Sequence, residues 1–488
     1  MVTSGRLPKG LALLRAKVAS SILRVLRIEG SSMIKITKFG GSSVSSAGQF
    51  KKVKAIVQAD PSRRFVVVSA AGKRDKFDSK ITDLLYLVNA HLQYHVTCDD
   101  LLGTIGQRFC EIAKELNLSY PISHEFGIFR ELAKRGEYTP EYIVSRGEYF
   151  TGRMMAEYLG FSFVDAADVI TFRADSSIDM DKTSEKLKAA IGEEKCFVLP
   201  GFYGATEDGK IKLLDRGGGD ITGAIVAQCL GADLYENWTD VSGFLTADPR
   251  IVDNPKSISR ITYAELRELS YMGASVLHEE AIFPVKDAGI PLVIKNTNAP
   301  DDPGTVISEE TEPGVAEPLI TGIAGKKDFV AIHVKTNHMS SKVGYIRKTL
   351  SIFERYRVSI EHIPTGIDSF AVVVQGSDVK DCLYSIVADI KSELEPDEIK
   401  IVDRLALIST VGRNMPSRPG TSGRLFGELG HAGINIRMIA QGSEELDIVV
   451  GVDVDDFERA IRVIYGAFVD SDDNIITVEE AEEEATNE

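Results

Sequence analysis

Residues 38–44 read K-F-G-G-S-S-V, an ammonium followed by two positions without side chains and two hydroxyls. That combination suits an anion: glycines let backbone N–H groups approach closely, and Lys38 adds a point charge. The preceding residues, Met33 to Phe39, alternate around Ile34 and Ile36 as a strand does, and the alternation stops at Gly40-Gly41. K-x-G-G alone is equally compatible with an ordinary strand–turn–helix carrying a surface lysine.

Further candidates follow in order. Ser69-Ala70-Ala71-Gly72 ends the apolar run Phe65 to Ser69, the place where a doubly wound sheet holds its ligands. Arg146-Gly147-Glu148 leads a helical segment and offers Glu148 to an ammonium. Gly201-Phe202-Tyr203-Gly204 follows the Cys196–Leu199 strand. Arg216-Gly217-Gly218-Gly219-Asp220 opens the helix from Ile221, so its N–H groups and dipole favour an anion. Arg216 is suited to a two-pronged hydrogen bond with a carboxylate. Phosphoryl transfer to a small carboxylate is the chemistry these groups share. Other phosphate devices are missing: Val67 and Arg74 stand where a Walker A loop around Gly72-Lys73 needs glycine and a hydroxyl. No protein-kinase H-R-D or D-F-G set and no G-x-G-x-x-G turn is present.

The elements that position these groups alternate. Short β-rich runs at Phe65–Ser69, Phe161–Val164, Cys196–Leu199 and Pro291–Ile294 are interleaved with helical spacing at Ala47–Val57, Asp83–Val88 and Ile221–Leu230. This predicts an α/β three-layer sandwich, a mostly parallel sheet between helices, over residues 33–310. The turn cluster Asp301-Asp302-Pro303-Gly304 and the polar stretch Glu309 to Pro318 mark the expected domain boundary. Beyond it the chain repeats itself. Strand Phe329–Lys335, helix Gly344–Tyr356 and strand Ser369–Val374 are echoed by Leu405–Val411, Thr421–His431 and Ile448–Val452. Residues 320–470 are therefore expected to form an α+β, ferredoxin-like pair.

With 488 residues, 43% hydrophobic, the chain has material for two or three cored domains. A net charge of −16 argues against nucleic-acid or anionic-membrane partners, and no apolar run is long enough to span a bilayer. Five cysteines without C-x-x-C spacing read as reduced thiols of a cytoplasmic protein. His91 and His95 lack a third ligand in sequence and read as an exposed helix face. Residues 1–32 set Arg6, Lys9, Arg15, Lys17, Arg24 and Arg27 against Glu29 alone. They are a leader, or an extension ahead of a start at Met33, the preferred reading. The acidic end, residues 471–488, is expected to be a solvated tail.

The seven residues from Lys38, in this order with the later motifs, resemble the aspartate kinases of the amino-acid kinase superfamily. The resemblance continues through Thr239-Asp240-Val241-Ser242-Gly243-Phe244-Leu245-Thr246-Ala247-Asp248-Pro249-Arg250, similar to the family's nucleotide segment, and through Tyr271-Met272-Gly273-Ala274-Ser275-Val276-Leu277-His278. The repeated C-terminal units resemble tandem ACT domains, and the length after Met33 suits a monofunctional enzyme without a fused homoserine dehydrogenase. The resemblance implies that L-aspartate is converted to 4-phospho-L-aspartate with ATP and Mg2+, at the entry to lysine, threonine and methionine synthesis. Aspartate is already a nucleophile at pH 7, its free side-chain pKa being about 3.9, so no general base is required.

In that family reading Lys38, Gly40, Gly41 and Asp220 serve catalysis. Ser69, Thr82, Glu148, Phe202, Arg216, Gly217, Gly218 and Gly219 bind substrate, with Glu148 and Asp220 facing the ammonium. Lys38, Phe39, Gly40, Gly41, Thr239, Asp240, Leu245, Arg250, Ser275 and Val276 hold ATP. An effector, lysine ahead of threonine, falls to Met339, Gly344, Tyr345, Ile346, Ser359, Ile360, Glu361 and Thr365, across a homodimer formed through the ACT units, with tetramers as an extension. Gly219, Leu245 and Ser275 depart from a serine, a tyrosine and a lysine common in relatives; Lys342 and Gly366 replace hydroxyl-bearing positions. The alternatives are a kinase for glutamate, N-acetylglutamate or UMP, and a catalytically silent amino-acid sensor.

Overall fold

The computed structural model describes residues 33–192, 196–215, 217–274, 277, 283–309, 318–415, 418–442 and 444–470. The leader, the acidic tail, most of the expected boundary (310–317) and the site candidates Arg216, Ser275 and Val276 lie outside the described residues. Contacts divide the chain into two units. One runs to Asp240 and takes in Glu280–Pro300; the other comprises Val241–Glu279 and the chain from Asp301 onward.

In the first unit β1 (Lys35–Phe39), β2 (Phe65–Val68), β3 (Phe197–Pro200) and β4 (Leu234–Thr239) form the middle of a parallel sheet. Its order is β3-β2-β1-β4, extended by Ser162–Phe163 beside β3 and Leu292–Asn296 beside β4. All four residues of β2, F-V-V-V, are buried, as expected of a strand covered by helices on both faces. Helix α1 (Ile81–Gln93) follows β2, and α4 (Gly218–Leu230) precedes β4.

Between α1 and β3 lies a layer that the sequence pattern does not predict: α2 (Asp99–Leu116), a helix at Ile122–Lys134 and α3 (Pro140–Leu159). Its core is aromatic, with Phe109, Phe126, Phe129 and Phe150 in ring contacts of 5.4–5.9 Å. Thr139 caps α3 by accepting from Tyr142 N, Pro140 occupies the first turn, and Gly160 ends it at φ 75°. These signals make a 20-residue helix, so Arg146-Gly147-Glu148 sits in its middle and does not lead it. The buried side of α3 continues through that motif, with Arg146, Gly147 and Glu148 all buried.

The second unit contains a parallel pair, Arg260–Thr262 with Thr305–Ser308, and helix α5 (Tyr263–Tyr271), which opens with a full capping box between Thr262 and Glu265. It also contains a five-stranded antiparallel sheet in the order Ser369–Gln375, β5 (Gly322–Lys335), β6 (Glu398–Val411), Asp447–Asp453, Met438–Gln441. The two repeats are both present, but threaded. Phe329–Lys335 of β5 pairs with Ser369–Gln375 in the first half of the repeat, while Gly322–Lys326 pairs with Leu407–Val411 in the second. Register shifts between Lys326 and Ala331 separate the halves. Each half has its own core, one under α6 (Tyr345–Arg355), the other under α7 (Thr421–His431).

Candidate active site and regulatory loop

Lys38 on β1 and Asn237 on β4 are register partners in neighbouring parallel strands, so the pleat turns both side chains to one face. Asp220, in the first turn of α4, covers that face. Lys38 Nζ forms an ion pair with Asp220 Oδ1 and donates to Asn237 Oδ1 at 3.4 Å. Asn237 Nδ2 in turn donates to Asp220 Oδ1 at 2.8 Å, and the Tyr235 hydroxyl to the Asp220 carbonyl at 3.0 Å. The Lys38 residue is only 6% exposed.

Glycines bring the backbones around this ion pair together. A Cβ on Gly72 would stand 2.5 Å from the carbonyl carbon of Gly41, whose oxygen accepts from Gly72 N at 2.8 Å. A Cβ on Gly219 would meet Ser69 Oγ at 2.7 Å and Lys38 Cε at 3.5 Å, and one on Gly218 would strike the Phe202 ring at 2.5 Å. Gly217 holds φ 80° as the cap of α4. Phe202 itself adopts φ 77°, rare for a bulky residue. It is pinned by N–H donation to Thr222 Oγ1 at 2.9 Å and by Leu214 N donating to its carbonyl at 2.8 Å. Gly40 N–H is committed to the Trp238 carbonyl at 2.9 Å. That glycine therefore offers space instead of a donor: its missing Cβ would stand 3.4 Å from Lys38 Nζ.

Glu148 is 4% exposed on α3. The Ala70 N–H donates to its carboxylate, Oε2 has no partner, and burial pushes its carboxyl up to about 8. A buried acid with an orphaned oxygen carries a desolvation cost that an incoming cation would relieve. Nearby Arg146 lies among the rings of Tyr142, Tyr149 and Tyr203, at 4.3, 4.3 and 5.4 Å. Thr82 is half-buried at the start of α1, directly after Ile81, whose N–H donates to Ala71 O at 3.1 Å. Thr239 and Asp240 close β4, the Thr239 hydroxyl donating to Asp240 Oδ1 at 3.2 Å.

Two residues that sequence reasoning missed support these groups. Asn237 was signalled by the polar pair Glu236-Asn237 inside a buried central strand, where apolar residues are the rule. Arg108 on α2, 3% exposed, donates to Gly72 O and Ser79 O at 2.5 and 2.6 Å and pairs with Asp78 at 3.4 Å. It clamps the loop that joins Gly72 to Thr82, and burial lowers its guanidinium pKa. Only its position in an apolar helix stripe could have betrayed it.

The other candidates belong to the second unit. Leu245 is half-buried, and Arg250 is exposed and folded onto Asp248 at 2.6 Å. Met339 and Tyr345 are buried in the first regulatory core with Ile346 packed against it, and Gly344 caps α6 at φ 77°. Ser359, Ile360, Glu361 and Thr365 lie along the following loop, where the Glu361 carboxylate accepts from the Tyr271 hydroxyl at 2.6 Å. Among the described residues no three His, Cys, Asp or Glu side chains gather as a metal cluster, and no helix is long and apolar enough to cross a membrane.

A lysine on a central strand, the glycine-led start of a helix and a buried acid gather beside a parallel sheet, groups suited to phosphoryl transfer onto a small charged acceptor. The pattern of the amino acid kinase family matches residues 33–296, and an ACT-domain pattern matches residues 408–468. Aspartokinase 3 of Bacillus subtilis is 35% identical over 89% of this chain and 98% of its own. The structure of Clostridium acetobutylicum aspartate kinase superposes with a TM-score of 0.84 at 47% identity, over 90% of this chain and all of that one. Escherichia coli aspartokinase III, solved with aspartate and ADP in its R-state and with lysine and aspartate in its T-state, superposes at 0.68 and 0.69 with 25% identity, covering 89% and 90% of this chain and 99% and 100% of those. The chain belongs to the aspartokinases, within the amino acid kinase family.

Proposed function

We propose that this aspartate kinase transfers the γ-phosphoryl group of ATP to the side-chain carboxylate of L-aspartate, forming 4-phospho-L-aspartate for lysine, threonine and methionine synthesis in the cytoplasm. The observation that carries an amino acid as acceptor is the orphaned, buried Glu148 oxygen, which suits a free α-ammonium; the likeness to aspartokinases favours aspartate over glutamate. N-acetylglutamate and UMP bring no such cation. Lys38 would neutralise charge on the transferring group, Asp220 would hold Lys38, and Ser69, Thr82, Phe202 and the Gly217–Gly219 run would shape the acceptor pocket, with Arg216 as carboxylate clamp. Magnesium would enter with the nucleotide phosphates. Such a complex needs only one or two protein carboxylates, a demand that Asp240, exposed just after the end of β4, fits. The barrier is the approach of two anions, lowered by a fixed cation and aligned backbone dipoles. Incubation with ATP, magnesium and L-aspartate, with hydroxylamine trapping of the acyl phosphate, tests this reading; no hydroxamate from a folded protein would overturn it.

The regulatory units would bind lysine, as the E. coli relative does. Glu361 offers a partner for its ε- or α-ammonium, and the α6 N-terminus at Gly344 one for its carboxylate. Val343, next to Gly344, and Ile367, six residues after Glu361, are 98% and 78% exposed and give a second copy of the chain apolar surface to cover, which supports a homodimer through the ACT units. Light scattering with and without lysine tests the assembly, and a monomer at micromolar concentration in both would refute it.

A further inference from the structure

We propose that Asn237 is a positioning residue for phosphoryl transfer, a neutral bridge that lets Lys38 leave Asp220 for the incoming phosphate without stranding the aspartate. The inference rests on the catalytic reading of Lys38 and Asp220.

The geometry carries it. Asn237 is 3% exposed on the central strand, and its register pairing with Lys38 fixes where its amide stands. The amide nitrogen donates to Asp220 Oδ1 at 2.8 Å, while the amide oxygen accepts from Lys38 Nζ at 3.4 Å. Three polar groups thus close a ring in which the amide uses one end as donor and the other as acceptor. Lys38 Nζ lies against the bare backbone of Gly40, 3.4 Å from where a Cβ would be, so the ammonium has a side left open for a third acceptor.

The alternatives at this position show what the amide does. An apolar side chain would leave Lys38 and Asp220 as a largely buried pair with no other partner, and taking Lys38 away would then uncover a buried charge. A carboxylate would put a second negative charge beside Asp220 and hold the lysine where it rests. The carboxamide avoids both. When a phosphate oxygen draws Lys38 toward Gly40, Asp220 keeps the Asn237 N–H and stays in place, and Lys38 relinquishes only a neutral acceptor and one shared oxygen. The interaction therefore gains most as the phosphoryl group is transferred, which places its effect on kcat.

The test compares Asn237→Leu, Asn237→Asp and Lys38→Met in the full chain, with kcat and both KM values measured from pH 6 to 8.5 and folding followed by circular dichroism. Asn237→Leu is expected to lower kcat about ten- to a hundredfold with KM values within about threefold. Asn237→Asp is expected to be poorly active at pH 8 and to regain kcat toward pH 6, because a protonated carboxyl reproduces the amide's donor and acceptor; the unaltered enzyme shows no such rise. Should the leucine variant fail to fold, the near-isosteric aspartate variant decides through its pH profile. A leucine variant within twofold of normal kcat, a loss confined to KM, or an aspartate variant equally impaired at every pH overturns the proposal. Lys38→Met separates the two levels: full activity there removes the catalytic reading of Lys38 itself, whereas an inactive Lys38→Met beside a normal Asn237→Leu removes only the bridge.

Discussion

The Tyr271 hydroxyl donates to Glu361 at 2.6 Å, joining the last residue of α5 to the loop of the first regulatory half. Partial desolvation and the adjacent carboxylate push the phenol up to about 12, so it remains a donor throughout the physiological range. An effector ammonium that needs Glu361 must compete with this bond. Tyr271→Phe is therefore expected to lower the lysine concentration for half-inhibition, roughly three- to tenfold for one solvent-exposed hydrogen bond worth about 0.7–1.4 kcal/mol. Glu361→Ala should raise it, with little change in uninhibited kcat. Lysine titrations of both variants check the opposite signs, and shifts in the same direction would contradict the competition.

Lys38→Ala should reduce kcat by on the order of a hundredfold or more, as expected for an electrostatic contact to the transferring group. Single-turnover kinetics on a variant with a native circular dichroism spectrum measure it. Near-normal turnover would place the essential cation elsewhere.

Glu148 sets a pH dependence whose sign follows from its raised pKa. Below about 8 the empty site holds a protonated carboxyl, and an ammonium bound there must displace that proton. The KM for aspartate should fall as pH rises from 6 to 8, by at most about tenfold per unit, and then level off. Glu148→Gln should bind aspartate weakly with no such slope. For stability, a folded pKa above the unfolded value favours folding most below about 4.5, and this advantage is lost as pH rises through about 8. Glu148→Gln should accordingly gain more in Tm at pH 8 than at pH 5.

Gly219 is matched to Ser69. A serine at 219 would place its Cβ 2.7 Å from Ser69 Oγ, a clash that rotation of one small side chain relieves. Gly219→Ser should therefore fold normally and raise the KM for aspartate severalfold, and Ser69→Ala in the same chain should recover part of it. Gly72→Ala differs, because its Cβ would meet the backbone of Gly41 at 2.5 Å. A loss of about 1–3 kcal/mol in urea unfolding is expected there.

The parallel sheet was legible because β2 and β3 are short apolar runs, and the candidate site groups stood out because they lie at strand ends beside glycines. What stayed hidden is set by packing instead of local pattern. The layer from α2 to α3 buries aromatic residues spaced as any amphipathic helix would be, and nothing in that spacing names its partners. Arg108 donates to the Gly72 carbonyl, and Asn237 donates to Asp220 and accepts from Lys38, all residues distant in sequence, and no local motif records such a contact. The repeat was visible, but its threading was not, because β5 reads as one strand and only its change of register divides it.

That threading sets an order of events during synthesis. Phe329–Lys335 finds its hairpin-side partner at Ser369–Gln375 soon after emerging, whereas Gly322, earlier in the chain, waits for Val411. At about 5–20 residues per second, some 90 residues of translation amount to several seconds during which that edge lacks its partner. The half that carries Glu361 can assemble while the half that encloses it in sequence is still on the ribosome. A ribosome stalled once Leu405 has left its exit tunnel, with the outer strands still inside, would hold a nascent chain with a closed inner half and an open outer one. Slow codons at that stage would lengthen the wait without changing a single residue of the finished enzyme.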